Sequence, residues 1–142
     1  MKASRRRNLI IFALVAATLI FLWISWAGGL VPQVVILNRA LKQDPVLAEY
    51  PYQFRAVLLA SGVATVTRPY DERTPPWRFL ATVEPELADK EPDDRAFIRA
   101  MRRFKEQERR AIQVVLAHPE ATAIEWTLDR AWYHRNEIAL DP

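Results

Sequence analysis

The longest apolar run of the sequence lies near its start, from Leu9 to Ala27, and its only polar members are Thr18 and Ser25. These 19 residues would form a helix about 28 Å long, close to the hydrocarbon thickness of a bilayer. No polar face is present, which disfavours a core helix of a soluble protein. The run therefore predicts a single transmembrane helix.

Charged and aromatic residues at the two ends of this run predict its orientation. Arg5, Arg6 and Arg7 stand immediately before it, and positive residues stay on the cytoplasmic side of a membrane. Trp23 and Trp26 lie near the other end, where indole rings favour the interface. We therefore expect a single-pass protein of the inner (plasma) membrane with a cytoplasmic N-terminus and a periplasmic or extracytoplasmic remainder.

The same residues also fit a cleavable signal peptide of about 27 residues. Ser25-Trp26-Ala27 precedes Gly28, so small residues stand at the two positions that a signal peptidase reads. The apolar run is longer than a typical signal-peptide core, which favours an uncleaved anchor. We assign residues 1–8 to a basic cytoplasmic N-terminus and 9–31 to the anchor, and both interpretations export the rest of the chain.

The next segment, residues 32–44, has apolar residues at helical spacing. Pro32 suits a first helical turn, and Val34, Leu37 and Leu41 come after it on one face. This pattern predicts a juxtamembrane helix that packs on the exported domain. The alternative is an interfacial helix, or a face for the transmembrane helix of a partner.

Three short segments of residues 45–142 predict strands. Val63–Thr67 is rich in β-branched residues, and Trp77–Val83 alternates apolar and polar positions. We expect these two to form a hairpin with a long loop. Ile124–Leu128 also alternates, which predicts a third strand, although residues 123–134 also fit a helix.

A long helix is predicted from Arg95 to about Ala117, with Asp93 or Asp94 as its cap. Glu108 interrupts its apolar stripe, so a regular coiled coil is not expected. The predicted fold class is α+β: a transmembrane helix, then a small antiparallel sheet of about three strands packed on this one long helix.

Charge and residue usage exclude several classes of function. The net charge of +3 arises entirely in the leader, because the chain after Arg7 holds 16 basic and 17 acidic residues. A nucleic-acid partner is therefore not expected. The chain has no cysteine and three glycines, so thiolate chemistry and Gly-rich phosphate loops are not expected either. No cofactor, metal site or catalytic constellation is predicted.

Aromatic and arginine side chains mark a candidate interaction surface, since these residue types dominate binding hot spots. Arg68, Tyr70 and Arg73 share one polar loop, and Trp132 and Tyr133 are adjacent near the C-terminus.

The pattern as a whole favours a membrane-anchored, non-enzymatic accessory or assembly subunit whose partners are the membrane and other subunits of a membrane complex. A periplasmic or extracellular ligand-binding or sensory module is the first alternative. A small hydrolase that uses His134 and Glu137, three residues apart, is the second.

Overall fold

The computed structural model describes residues 2–27 and 32–140, with side chains for 11–23 and 32–140. The chain divides into two compact units at Pro32. The first contains one helix, α1 (Lys2–Ala27). Within the part of the chain that the structure describes, no helix is both long enough and apolar enough to cross a bilayer.

Several predictions for the N-terminal segment fall outside the described residues. These are the side-chain positions of Arg5, Arg6, Arg7 and Trp26, and the cleavage site after Ala27. Trp23 is described, and its side chain is exposed.

The second unit is a mixed α+β domain with a three-stranded sheet and one long helix. Its elements, in chain order, are α2 (Gln33–Gln43), α3 (Pro45–Ala48), β1 (Ala56–Ala60), β2 (Val63–Arg68), α4 (Pro76–Val83), a 3₁₀ turn (Pro85–Leu87), α5 (Arg95–Leu116), β3 (Ala123–Leu128) and α6 (Arg130–Arg135).

The sheet has the order β1-β2-β3 and is mixed rather than antiparallel. β1 and β2 form an antiparallel hairpin, whose turn places Ser61 at φ 50° and Gly62 at φ 81°. β3 runs parallel to β2, with Val63 opposite Ala123 and Arg68 opposite Leu128. The prediction of a wholly antiparallel sheet is therefore wrong, because the connection through α4 and α5 is a helical crossover, which joins parallel strands.

The predicted strand over Trp77–Val83 is also wrong, because this segment is α4. Phe79 and Leu80 are both buried although they are neighbours in sequence, which a helix on a core allows. Pro76 occupies the first helical turn, where a missing N–H costs nothing. Residues 123–134 were expected to form either a strand or a helix. The segment contains one of each, because β3 ends at Leu128 and α6 begins at Arg130.

α5 agrees with its prediction and covers the core. Asp94 caps it by accepting a hydrogen bond from the backbone N–H of Ala96 at 2.7 Å. The buried side chains of α5 follow one stripe, with Phe104 at the centre of an aromatic cluster. Glu108 lies on this stripe and is buried too.

α2 packs on the domain through Leu37 and Leu41, which are fully buried. Its Asn38 amide exchanges two hydrogen bonds of 2.8 Å with the backbone N–H and C=O of Ala56, at the first residue of β1. α2 is therefore fixed to the edge of the sheet by the same kind of paired bonds that a neighbouring strand would make.

Asp44 joins α2 and α3 to α5. Its Oδ1 caps α3 by accepting from the backbone N–H groups of Val46 and Leu47, both at 3.1 Å. Its Oδ2 accepts from Nε and Nη2 of Arg110 at 3.0 and 2.7 Å. The hydrogen bonds from Arg110 hold the pKa of the Asp44 carboxyl below its usual value of 3.8.

We expect Asp44→Asn to lower the free energy of unfolding by about 1 kcal/mol at pH 7, and Asp44→Ala by about 2 kcal/mol. Asparagine keeps the cap and loses the charge, whereas alanine loses both. Because the folded pKa is depressed, the carboxylate stabilises the fold above about pH 4 and loses this effect as the pH falls further.

Denaturant titrations followed by tryptophan fluorescence at pH 7 and pH 3 would measure both variants. The difference in free energy of unfolding between the parent chain and Asp44→Asn should be smaller at pH 3 than at pH 7. A difference of the same size at both pH values would contradict the role given to this ion pair.

Candidate functional site

The aromatic members of the sequence-predicted surface lie in the core. Tyr70, Trp132 and Tyr133 are all buried. The Trp132 ring lies 5.2 Å from that of Phe79, and the Tyr133 hydroxyl donates to the backbone carbonyl of Pro69. These side chains pack the domain instead of presenting an exposed aromatic surface.

The two arginines of that surface lie at the edge of the core. Arg73 is exposed, whereas Arg68 is half-buried and donates from Nε to the backbone carbonyl of Tyr70 at 3.0 Å. The Arg68 guanidinium lies 4.7 Å from the centre of the Tyr70 ring. Asp71 closes the loop by accepting from the backbone N–H groups of Arg73 and Thr74. The loop is thus braced by its own contacts.

A polar network connects this loop to α5. The Tyr70 hydroxyl donates to Oε1 of the buried Glu108 at 2.7 Å, and Lys105 Nζ donates to Oε2 at 2.7 Å and to the Tyr70 hydroxyl. Partial burial opposes the charge of Lys105, but its hydrogen bonds to Glu108 and Tyr70 outweigh this, and the pKa of the ammonium is raised. Lys105 therefore stays cationic, with two of its three donors in use.

The residues that suggested a hydrolase do not form a catalytic arrangement. His134 lies on α6 and is exposed, whereas Glu137 comes after the helix in a left-handed conformation with φ 56°. The expected shared helical face is therefore absent. Among the described residues, no group of three His, Asp or Glu side chains is placed to hold a metal ion.

Four exposed apolar side chains lie on two adjoining elements, Val35 and Ile36 on α2 and Val57 and Leu58 on β1, and we call this set the α2–β1 edge. Their exposed fractions are 44%, 41%, 50% and 52%. The two elements adjoin through the Asn38–Ala56 hydrogen bonds. β1 has the sequence AVLLA and carries no charged residue, although it is an edge strand. Edge strands are usually protected by charge, and β1 lacks that protection.

A second region, which we call the α4–α5 groove, has a volume of about 510 Å³. Trp77 and Leu80 of α4 form one wall, and Phe97, Ile98 and Met101 of α5 form the other. Trp77 and Ile98 are 43% and 54% exposed. Pro76 and Pro92 complete the apolar lining.

Two cations, Arg102 and Lys105, also line the α4–α5 groove, and none of its described lining residues is acidic. Arg102 is exposed and makes no ion pair or hydrogen bond with any residue for which side chains are described. Sequence reasoning missed the groove because Trp77–Val83 was assigned to a strand. Pro75-Pro76 before an apolar segment was the available signal for a helix start.

No protein-family model, curated protein or solved structure matches the chain at a significant level. Function must therefore be inferred from the α2–β1 edge and the α4–α5 groove.

Proposed function

We propose that the protein is a single-pass, membrane-anchored, non-enzymatic accessory or assembly subunit of a membrane protein complex, and that its exported domain binds a partner subunit through the α2–β1 edge. The support for the anchor and its orientation comes from the sequence alone, through the apolar run Leu9–Ala27 and the three arginines Arg5, Arg6 and Arg7 before it, since no described helix meets the length and hydropathy of a span.

The observation that carries the proposal is the uncharged edge strand with exposed Val57 and Leu58. Exposed apolar side chains that cluster mark interaction sites. Asn38 already pairs with Ala56 at the start of β1, but the rest of the strand carries no charge that would oppose pairing with another chain. Val35 and Ile36 extend the apolar area onto α2. A partner that covers this edge would bury all four side chains.

Co-purification of the full-length chain after mild detergent extraction, at native expression, tests the proposal. The parent chain should migrate as a complex. A single lysine at the centre of the edge, Leu58→Lys, should reduce the recovered partner at least tenfold, because it places a charge in an apolar contact. Leu58 is half exposed, so the fold should tolerate the change.

Leu116→Lys is the matched control, since Leu116 is exposed to 43% and lies on α5 instead of the α2–β1 edge. This variant should keep its partner. A parent chain that migrates as a lone monomer, or a Leu58→Lys variant that retains the partner fully, would overturn the proposal.

A further inference from the structure

The α4–α5 groove has the composition of a ligand site instead of a surface left apolar by chance. Ligand pockets of about 300–1,000 Å³ combine apolar walls with a few polar groups that orient the ligand, and this groove falls within that range. Its apolar residues other than Pro92 come from two helices that are packed against each other, so the two walls are preformed.

The distribution of charge along the groove specifies the occupant. Phe97, Ile98, Met101, Arg102 and Lys105 lie along one stripe of α5 that is about 12 Å long. The apolar residues come first and the cations come after them. The occupant must therefore be apolar along most of its length and anionic near one end.

We propose that the α4–α5 groove binds a free single-chain amphiphile with an anionic head group, such as a medium-chain carboxylate, with its chain against Trp77 and Ile98 and its head between Arg102 and Lys105. The proposal is independent of the partner proposed for the α2–β1 edge.

The two cations are suited to this task in different ways. Lys105 is held in place by Glu108 and Tyr70 and has one donor left for a ligand. Arg102 offers a guanidinium that can bind a carboxylate with two parallel hydrogen bonds. Because Glu108 neutralises Lys105 in part, Arg102 supplies most of the net positive charge.

A head-group series tests the proposal on the full-length chain in nanodiscs of zwitterionic phosphatidylcholine. The chain carries 5-fluorotryptophan, and Trp77→Phe assigns the ¹⁹F resonance of Trp77. Decanoate, decanol and decyltrimethylammonium are added below their aggregation concentrations. Decanoate should shift the Trp77 resonance saturably, at a concentration at least tenfold lower than the other two.

Variants and chain length refine the test. Arg102→Glu should weaken the binding of decanoate at least tenfold. Arg109→Glu makes the same charge change on an exposed α5 residue outside the groove and should leave the binding of decanoate unchanged. Shortening decanoate to octanoate should weaken binding about 15-fold, since each buried methylene is worth about fourfold.

Three results would overturn the proposal. The first is no Trp77 shift with decanoate, or equal shifts with all three head groups. The second is the same shift produced by anionic phosphatidylglycerol in the disc without decanoate, which would assign the groove to a bilayer surface. The third is a Trp77 shift that depends on loading two chains per disc, which would assign it to a second copy of the chain.

Discussion

Asp129→Ala is expected to lower the free energy of unfolding by about 3 kcal/mol. The Asp129 carboxylate is buried and accepts from Tyr52 Oη at 3.2 Å, from Arg55 Nη2 at 3.1 Å and from the backbone N–H of Trp132 at 2.9 Å. Alanine would remove the cap of α6 and leave the Arg55 guanidinium without its counter-charge. Because the Arg55 side chain is partly exposed, water offsets some of this loss.

Asp129→Asn is the matched control, since it keeps the shape and an acceptor for Trp132 but removes the charge. It should cost about half as much as alanine. Denaturant titration of the full-length chain, followed by near-UV circular dichroism, reports on the buried Trp132 beside it. A loss below about 1 kcal/mol for Asp129→Ala would show that the three contacts do not stabilise the fold as argued.

The parts of the fold that could be predicted are those with a regular apolar pattern over many residues or a specific helix-capping residue. α5 has six turns of amphipathic pattern and an aspartate at its start, so its type and bounds were predictable. The hairpin was predicted wrongly, because Val63–Thr67 was paired with Trp77–Val83, whereas β2 pairs with β1 through a turn at Ser61 and Gly62, both at positive φ.

Short segments and strand direction could not be predicted in the same way. α4 has eight residues, and over that length the alternation of a strand and the period of a helix both fit Trp77–Val83. Whether β3 runs parallel or antiparallel to β2 depends on how the chain crosses the core, which no local pattern records. The α4–α5 groove depends on the first of these features, because α4 forms one of its walls.

Residue type alone could not separate an exposed aromatic from a buried one. Tyr70 and Tyr133 were assigned to a candidate interaction surface because aromatic and arginine side chains dominate binding hot spots. Each hydroxyl instead has a partner distant in sequence, Glu108 for Tyr70 and Pro69 for Tyr133. Glu108 was visible as an anomaly on the α5 stripe, and the structure explains it as the acceptor that anchors Tyr70 and Lys105.

Phe104→Ala is expected to lower the free energy of unfolding by about 4 kcal/mol. The Phe104 side chain is fully buried, and its ring centre lies 4.9 Å from that of Phe79 and 5.8 Å from those of Tyr50 and Phe54. Alanine would remove these ring contacts and leave a cavity between α4 and the segment that joins α3 to β1. Because these parts are closely packed, collapse around the cavity should be incomplete.

Phe104→Leu and Ile98→Ala separate the cavity from a general effect on α5. Leucine fills most of the volume and should cost about 1 kcal/mol, while Ile98 is half exposed and its replacement should cost less than about 0.5 kcal/mol. The same denaturant titration measures all three variants. Equal losses for Phe104→Ala and Phe104→Leu would contradict a cavity as the cause, because the two differ mainly in the volume left empty at the centre of the aromatic cluster.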